Sequence, residues 1–235
     1  MRRILTLGLL AGMAATAAFA GSVAGTVTYD DKVPPPGRGP LAPLKMDADP
    51  ACAAKYSGDL PPSGQLVLGS GNTLGNVFVQ IKNAPAASGA APTSPVVIDQ
   101  NGCMYHPRVV GVRVDQPLKF KNSDGILHNV HGRPEVNREF NIGMPPTLKE
   151  KDQTFNKPEP LFPVKCDVHP WMQSYVAVMT HPYFAVTGED GKFSIANVPD
   201  GTYEIEAWHE KLLTQTTTVT VSGGAATADF TFKIP

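Results

Sequence analysis

Charge is scarce in this chain: only 17% of its 235 residues are Asp, Glu, Lys or Arg, and the signs balance, with 20 Lys and Arg against 21 Asp and Glu. No basic stripe or block is present to neutralise phosphates, which argues against nucleic acid as a partner. Neither sign dominates enough to steer a charged partner from a distance. After the first twenty residues no apolar run is long enough to span a bilayer, so no integral membrane segment is expected once that stretch is removed. No Ser-His-Asp set, His-Glu-x-x-His motif or Gly-rich phosphate loop is recognisable, so the chain is not expected to be an enzyme. Cysteine is also rare, with three in all.

Met1 to Ala20 runs from Arg2-Arg3 through an apolar stretch, Ile4 to Leu10, to Ala18-Phe19-Ala20. A short positive head, an apolar middle and an Ala-x-Ala end describe a secretory signal, with the mature chain starting at Gly21. The arginines lack the rest of a twin-arginine pattern, so the general secretory route is expected, and a periplasmic or secreted location. The chain as a whole is rich in turn formers, with 23 Pro and 22 Gly in short clusters. Many strands joined by turns, an all-β class, fit that spacing better than long helices do.

The residues that carry chemistry are Cys166-Asp167-Val168-His169-Pro170-Trp171-Met172, together with His128-Asn129-Val130-His131 upstream. A thiolate, two imidazoles and a thioether are the ligands of a blue-copper site: two nitrogens and a sulfur in a plane, with a weak axial Met. Cys-x2-His-x2-Met can curl as one loop at a strand end, while His128 arrives from another strand. The candidate metal ligands are therefore His128, Cys166, His169 and Met172, holding one type 1 copper ion. Cys with two His also suits zinc, and the Met tips the choice to copper. His131 is not expected to share a metal with His128, because residues three apart on a strand point to opposite faces. His106, His181 and His209 read as structural, and Met104, Met144 and Met179 as core filler.

These residues resemble the cupredoxin family, with the amicyanin-type contraction to two residues between His169 and Met172 and with Pro170 after the His. The alternating run Val112, Val114, Gln116, Leu118, Phe120, Asn122, Asp124 is similar to the family's strand that delivers the first histidine. The resemblance covers most of Val109 to Val178. It implies a Greek-key sandwich, a supporting hydrogen bond from Asn129 between the ligand loops, and a copper ion cycling one electron. It further implies that His169 reaches an apolar surface patch, for which Trp171 and Met144-Pro145-Pro146 are the candidates, and a transient redox partner such as a cytochrome or dehydrogenase. If Cys166 is the copper thiolate, Cys52 and Cys103 remain as a pair; a bridge would pin the Pro-rich N-terminal segment onto the strand region before the metal domain, and two free buried thiols are the alternative.

Strand-like segments occur at Val96–Ile98, Val109–Val114, Leu118–Asn122, Asn137–Asn141, Leu161–Lys165 and Ser174–Met179. After Pro182 the chain reads Gly191-Lys192-Phe193-Ser194-Ile195, then Val198-Pro199-Asp200-Gly201-Thr202-Tyr203, then Thr217–Val221 and Phe230–Ile234. That pattern resembles the carboxypeptidase regulatory-like (transthyretin-like) domain, lacking its opening strands. Gly25-Thr26-Val27 and Asn76–Lys82 are candidates for those strands, on either side of a Pro34–Pro43 loop. The expected organisation is 1–20 signal, 21–95 an N-terminal β segment, 96–182 the cupredoxin sandwich, and 183–235 the second small sandwich, with the N-terminal strands either completing that last sandwich or forming one of three consecutive β layers. Electron transfer is the expected function. Copper storage or delivery, and a non-redox binding module with structural copper, are the alternatives.

Overall fold

The computed structural model describes residues 20–30, 41–85 and 89–233. The signal segment up to Phe19, most of the Pro34–Pro43 stretch and Ile234 lie outside the described residues. The architecture is all-β, in two sandwiches.

The first sandwich is built from β3 (Val96–Asn101), β4 (Met104–His106), β5 (Val109–Arg113), β6 (Leu118–Asn122), β7 (His128–Gly132), β8 (Phe140–Met144), β9 (Glu150–Gln153), β10 (Glu159–Lys165) and β11 (Gln173–Met179). One sheet runs in the order β5-β11-β10-β7-β8 and faces a second of order β4-β3-β6-β9. Strand β6 shows why these residues form strands: Leu118, Phe120 and Asn122 are buried while Lys119 and Lys121 turn outward, the two-residue period of a half-buried strand. The strand expected at Asn137–Asn141 instead begins at Phe140.

The second sandwich takes β1 (Ala20–Tyr29) and β2 (Phe78–Ile81) from before the first, and β12 (Phe184–Val186), β13 (Lys192–Pro199), β14 (Gly201–His209), β15 (Leu213–Val221), β16 (Ala225–Thr227) and β17 (Phe230–Phe232) from after it. Strand β1 lies between β13 and β16 and also pairs with β17, while β2 lies between β12 and β14. Alternation again sets the faces: Tyr203, Ile205, Ala207 and His209 of β14 are buried while the residues between them are partly exposed.

The two bodies meet over Phe78, Val109, Ala177 and Met179. Beside this contact Arg108 and Glu210 form a buried ion pair, with Arg108 Nη2 3.0 Å from Glu210 Oε2. Arg108 Nη1 also donates to the carbonyl of Ser63 at 2.9 Å.

Between β1 and β2 the chain crosses to the first sandwich. Helix α1 (Pro50–Ala53) opens on Asp49, whose side chain accepts from the Ala51 amide, with Pro50 at the first helical position. That arrangement is a favoured helix start. Met46 and Cys52 of this segment are buried in the first sandwich's core, with Leu44 and Leu60 packed against it. Cys52 and Cys103 form a disulfide, with Cα atoms 5.6 Å apart. The bridge therefore reaches inside the first sandwich, at the β3–β4 turn, not a region preceding it. Gly102 and Cys103 of that turn both have positive φ, 63° and 53°, the backbone of a two-residue hairpin whose twist matches its strands. A Cβ at Gly102 would meet the Tyr56 hydroxyl at 2.5 Å.

Candidate metal centre

His128 is the first residue of β7, and the Cys166–Met172 loop joins β10 to β11. The loop is closed by its own backbone: the Cys166 amide donates to the Met172 carbonyl at 3.3 Å, and the Met172 amide to the His169 carbonyl at 2.9 Å. This curl brings Cys166 Sγ to 3.7 Å from His169 Nδ1. From β7, His128 Nδ1 comes within 2.9 Å of His169 Nδ1. The side chains of His128, Cys166 and His169 offer ligand atoms within 4.8 Å of one another, and all three residues are buried. Met172, in the same loop, is 1% exposed.

The outward nitrogens of both imidazoles are occupied. His128 Nε2 is 2.9 Å from Asp124 Oδ2, and His169 Nε2 is 2.9 Å from Asp49 Oδ2. A carboxylate can only accept at this distance, so the hydrogen-bond network assigns the proton to each Nε2. The two Nδ1 atoms then present lone pairs to each other and to the sulfur. Electron pairs converging in a closed space are stable around a cation, and the separations suit metal bonds of about 2.0–2.1 Å to nitrogen and about 2.3 Å to sulfur. The residues present fit a transition-metal ion, copper or zinc.

The ionisation of these groups follows from their partners. Burial disfavours the Cys166 thiolate, but the neighbouring His128 imidazole and hydrogen bonds from the amides of Asn129, His169 and Val168 outweigh it, leaving the thiol more acidic than usual. Burial likewise opposes a charge on His128, yet Asp124 and Cys166 raise its basicity overall. For Asp124, burial is again overcome, by His128, the Cys103 amide, Lys55 and the Gly102 amide, and its pKa falls to about 2. The hydrogen bond from His169 lowers the pKa of Asp49.

Asn129 ties the two ligand-bearing segments together. Its Oδ1 accepts the Asp167 amide at 2.7 Å and lies 3.3 Å from Cys166 Sγ, while its Nδ2 donates to Asn141 Oδ1 at 2.8 Å and Asp167 Oδ2 at 3.0 Å. His131 is apart from the cluster and sits between Asp167 and Glu139, with Nε2 2.7 Å from Glu139 Oε1. His209 is buried in the second sandwich.

The structure buries two of the residues expected at the apolar docking patch, while Pro145, Pro146 and Pro170 are exposed. His169 and Met144 are both 0% exposed, because the 41–62 segment covers the end of the first sandwich and Asp49 takes the nitrogen that would otherwise face solvent. Trp171 is half-buried and donates its Nε1–H to the Cys103 carbonyl at 3.0 Å. Asp49 and Asp124 were missed as site residues. Asp124 does stand four positions before His128 in the run leading into it, and Asp49-Pro50 reads as a helix start, but neither signal names an imidazole as its partner.

The family model for polysaccharide lyase family 4, domain II, matches residues 160–229, a span that begins in β10 and continues into the second sandwich. No curated protein sequence matches the chain. Similar solved structures include a Cu-containing nitrite reductase from Thermus scotoductus SA-01, at 22% identity and TM-score 0.33, over 41% of this chain. The chain spans only 24% of that reductase. The Cu(I) form of a methionine-to-alanine mutant of amicyanin is similar at 22% identity and TM-score 0.33, over 43% of this chain and 98% of amicyanin. A purple cupredoxin from Nitrosopumilus maritimus is similar at 20% identity and TM-score 0.30, over 35% of this chain and 98% of the cupredoxin.

Proposed function

We propose that this chain is a copper protein that carries single electrons, in which His128, Cys166 and His169 would hold one type 1 copper ion with Met172 as a weak fourth donor. The observation that carries the reading is the buried convergence of two Nδ1 atoms and a thiolate-prone sulfur, with both Nε2 atoms already hydrogen-bonded to carboxylates. When bound, copper supplies a one-electron couple that soft sulfur and imidazole ligands support. The protein's part is to hold the ligands. Backbone closure fixes the Cys166–Met172 loop, Asn129 fixes that loop to β7, and the 41–62 segment keeps water away from His169. With every ligand position filled by protein, the site suits electron transfer and not catalysis.

The disulfide fits an oxidising compartment, which supports a periplasmic or secreted location. Among the described residues no helix is long and apolar enough to cross a membrane. The partner we propose is a redox protein such as a cytochrome or dehydrogenase, meeting this chain transiently. The near-equal numbers of acidic and basic residues favour short-range contacts over steering.

Loading the purified protein with Cu(II) tests the reading. Intense visible absorption from Cys166 thiolate-to-copper charge transfer is expected, lost in Cys166→Ser and kept in Met172→Leu. A colourless copper-loaded wild type overturns it.

A further inference from the structure

We propose that Asp49 and Asp124 are positioning residues for the two copper histidines, directing both Nδ1 atoms inward and biasing the site toward the oxidised ion, with the Cys52–Cys103 disulfide holding the two carboxylates in place together. The bias rests on the copper reading above; the positioning does not.

Each carboxylate is itself fixed before it meets an imidazole. Asp124 accepts the Gly102 amide at 2.7 Å and the Cys103 amide at 2.8 Å, so it caps the β3–β4 turn with the backbone that carries one half of the disulfide. Its Oδ1 is also 3.1 Å from Lys55 Nζ. The side chain is 1% exposed, and its second oxygen meets His128 Nε2. Asp49 caps α1 through the Ala51 amide at 2.9 Å, three residues before the other half of the disulfide. Asp49 and His169 are 120 positions apart in the chain, and the Cys52–Cys103 bond is the covalent link that brings the 41–62 segment over the site. The sulfurs sit against the same groups. Cys52 Sγ lies within 4.8 Å of ligand atoms of Asp49 and His169, and Cys103 Sγ within 4.8 Å of those of Asp124 and His128.

The chemical effect has a definite sign. A carboxylate accepting the Nε2–H fixes the tautomer and pushes electron density toward Nδ1, making it a stronger donor. Two nearby negative charges also favour a doubly charged ion over a singly charged one. Lys55 works the other way, since its ammonium offsets part of the charge on Asp124.

The test uses the full chain as wild type, Asp49→Asn, Asp124→Asn and Lys55→Met. Asn keeps an oxygen for the Nε2–H but removes the charge. Affinities for Cu(II) and Cu(I) are measured by competition with chelators of known strength, and the potential by voltammetry. Each Asp→Asn change should weaken Cu(II) binding about tenfold or more relative to Cu(I), and a tenfold change in that ratio is a rise of about 59 mV for one electron. Lys55→Met should move the potential the opposite way, an effect a merely structural role would not produce. An unchanged affinity ratio in Asp49→Asn overturns the bias, and that variant decides the point even if Asp124→Asn, which loses a turn cap, fails to fold. A metal-free readout separates this proposal from the copper reading: nitrogen-15 NMR of the apoprotein should show both His128 and His169 protonated at Nε2, with His169 shifting tautomer in Asp49→Ala. Tautomers that ignore Asp49 overturn the positioning role whether or not the copper-loaded protein is blue.

Discussion

Asn129 reaches Cys166 from a different strand, with Oδ1 3.3 Å from Sγ and 2.7 Å from the next amide in the chain, that of Asp167. Its own backbone amide also stabilises the thiolate. Replacing it with Ala leaves that amide in place but cuts the tie between β7 and the ligand loop. Losses of this kind typically cost about 10–100-fold in metal affinity. A chelator competition titration of Asn129→Ala should show a copper affinity lower by that factor, and an affinity equal to wild type would remove Asn129 from the site's support.

The disulfide closes a loop between positions 52 and 103 and anchors the cover over His169. Its loss in a Cys52→Ala/Cys103→Ala double variant should cost about 2–5 kcal/mol of stability. The same variant should make His169 accessible, so that a histidine-modifying reagent labels it in the apoprotein. Thermal unfolding and mass mapping read the two effects separately.

Arg108 and Glu210 bridge the sandwiches with side chains only 8% and 3% exposed. Truncating one partner strands a buried charge, which typically costs about 3–5 kcal/mol. Glu210→Ala should therefore destabilise the chain by that amount in denaturant melts, far more than Glu150→Ala, whose ion pair with Lys119 is largely solvated. Equal effects would mean that the inter-sandwich pair is no better formed than the surface one.

His209 supplies a pH dependence away from the metal site. Burial, followed by the positive charges of Arg108 and Lys211, lowers its pKa from 6.5 to about 4, and its Nε2 has no hydrogen-bond partner among the described residues. The folded state thus holds the neutral ring while the unfolded chain binds a proton below pH 6.5. The stability this confers is complete above pH 6.5 and is lost as pH falls through 4, amounting to about 3 kcal/mol. Chemical denaturation of the apoprotein across that range should show the decline, and His209→Phe should flatten it.

How much could be read from sequence depends on the distance over which each signal acts. Cys166, His169 and Met172 lie within one loop, so their spacing alone announced a shared site. His128 was legible only as the second imidazole that such a ligand set requires, and it is the fold that brings β7 beside that loop. The cover over His169 left no trace: residues 41–62 have no hydrophobic period, and their hold on the site rests on one carboxylate and one sulfur whose partners are far away in the chain. Strand β9 was equally hidden. Glu150-Lys151-Asp152-Gln153 is wholly polar, and it forms a strand because it pairs with β6 at the edge of its sheet, where Lys119 meets Glu150 at 2.6 Å and Asp152 at 3.4 Å. Strand β6 itself was legible because its inward residues alternate with lysines.

The pairing of β1 with β13, β16 and β17, and of β2 with β12 and β14, bears on how the chain is made. Residues 20–29 and 78–81 emerge first, yet every strand they bind comes after residue 183. They must wait with open edges while the whole first sandwich is synthesised, and such edges are prone to pair with other chains. Strands β3 to β11, by contrast, find all their sheet partners within 96–179, so the first sandwich can complete its sheets first and then present β2 and β12 side by side. Until residues 184–232 are in place, pairing of β1 and β2 with other chains is therefore the expected route to aggregation, while the first sandwich remains able to form.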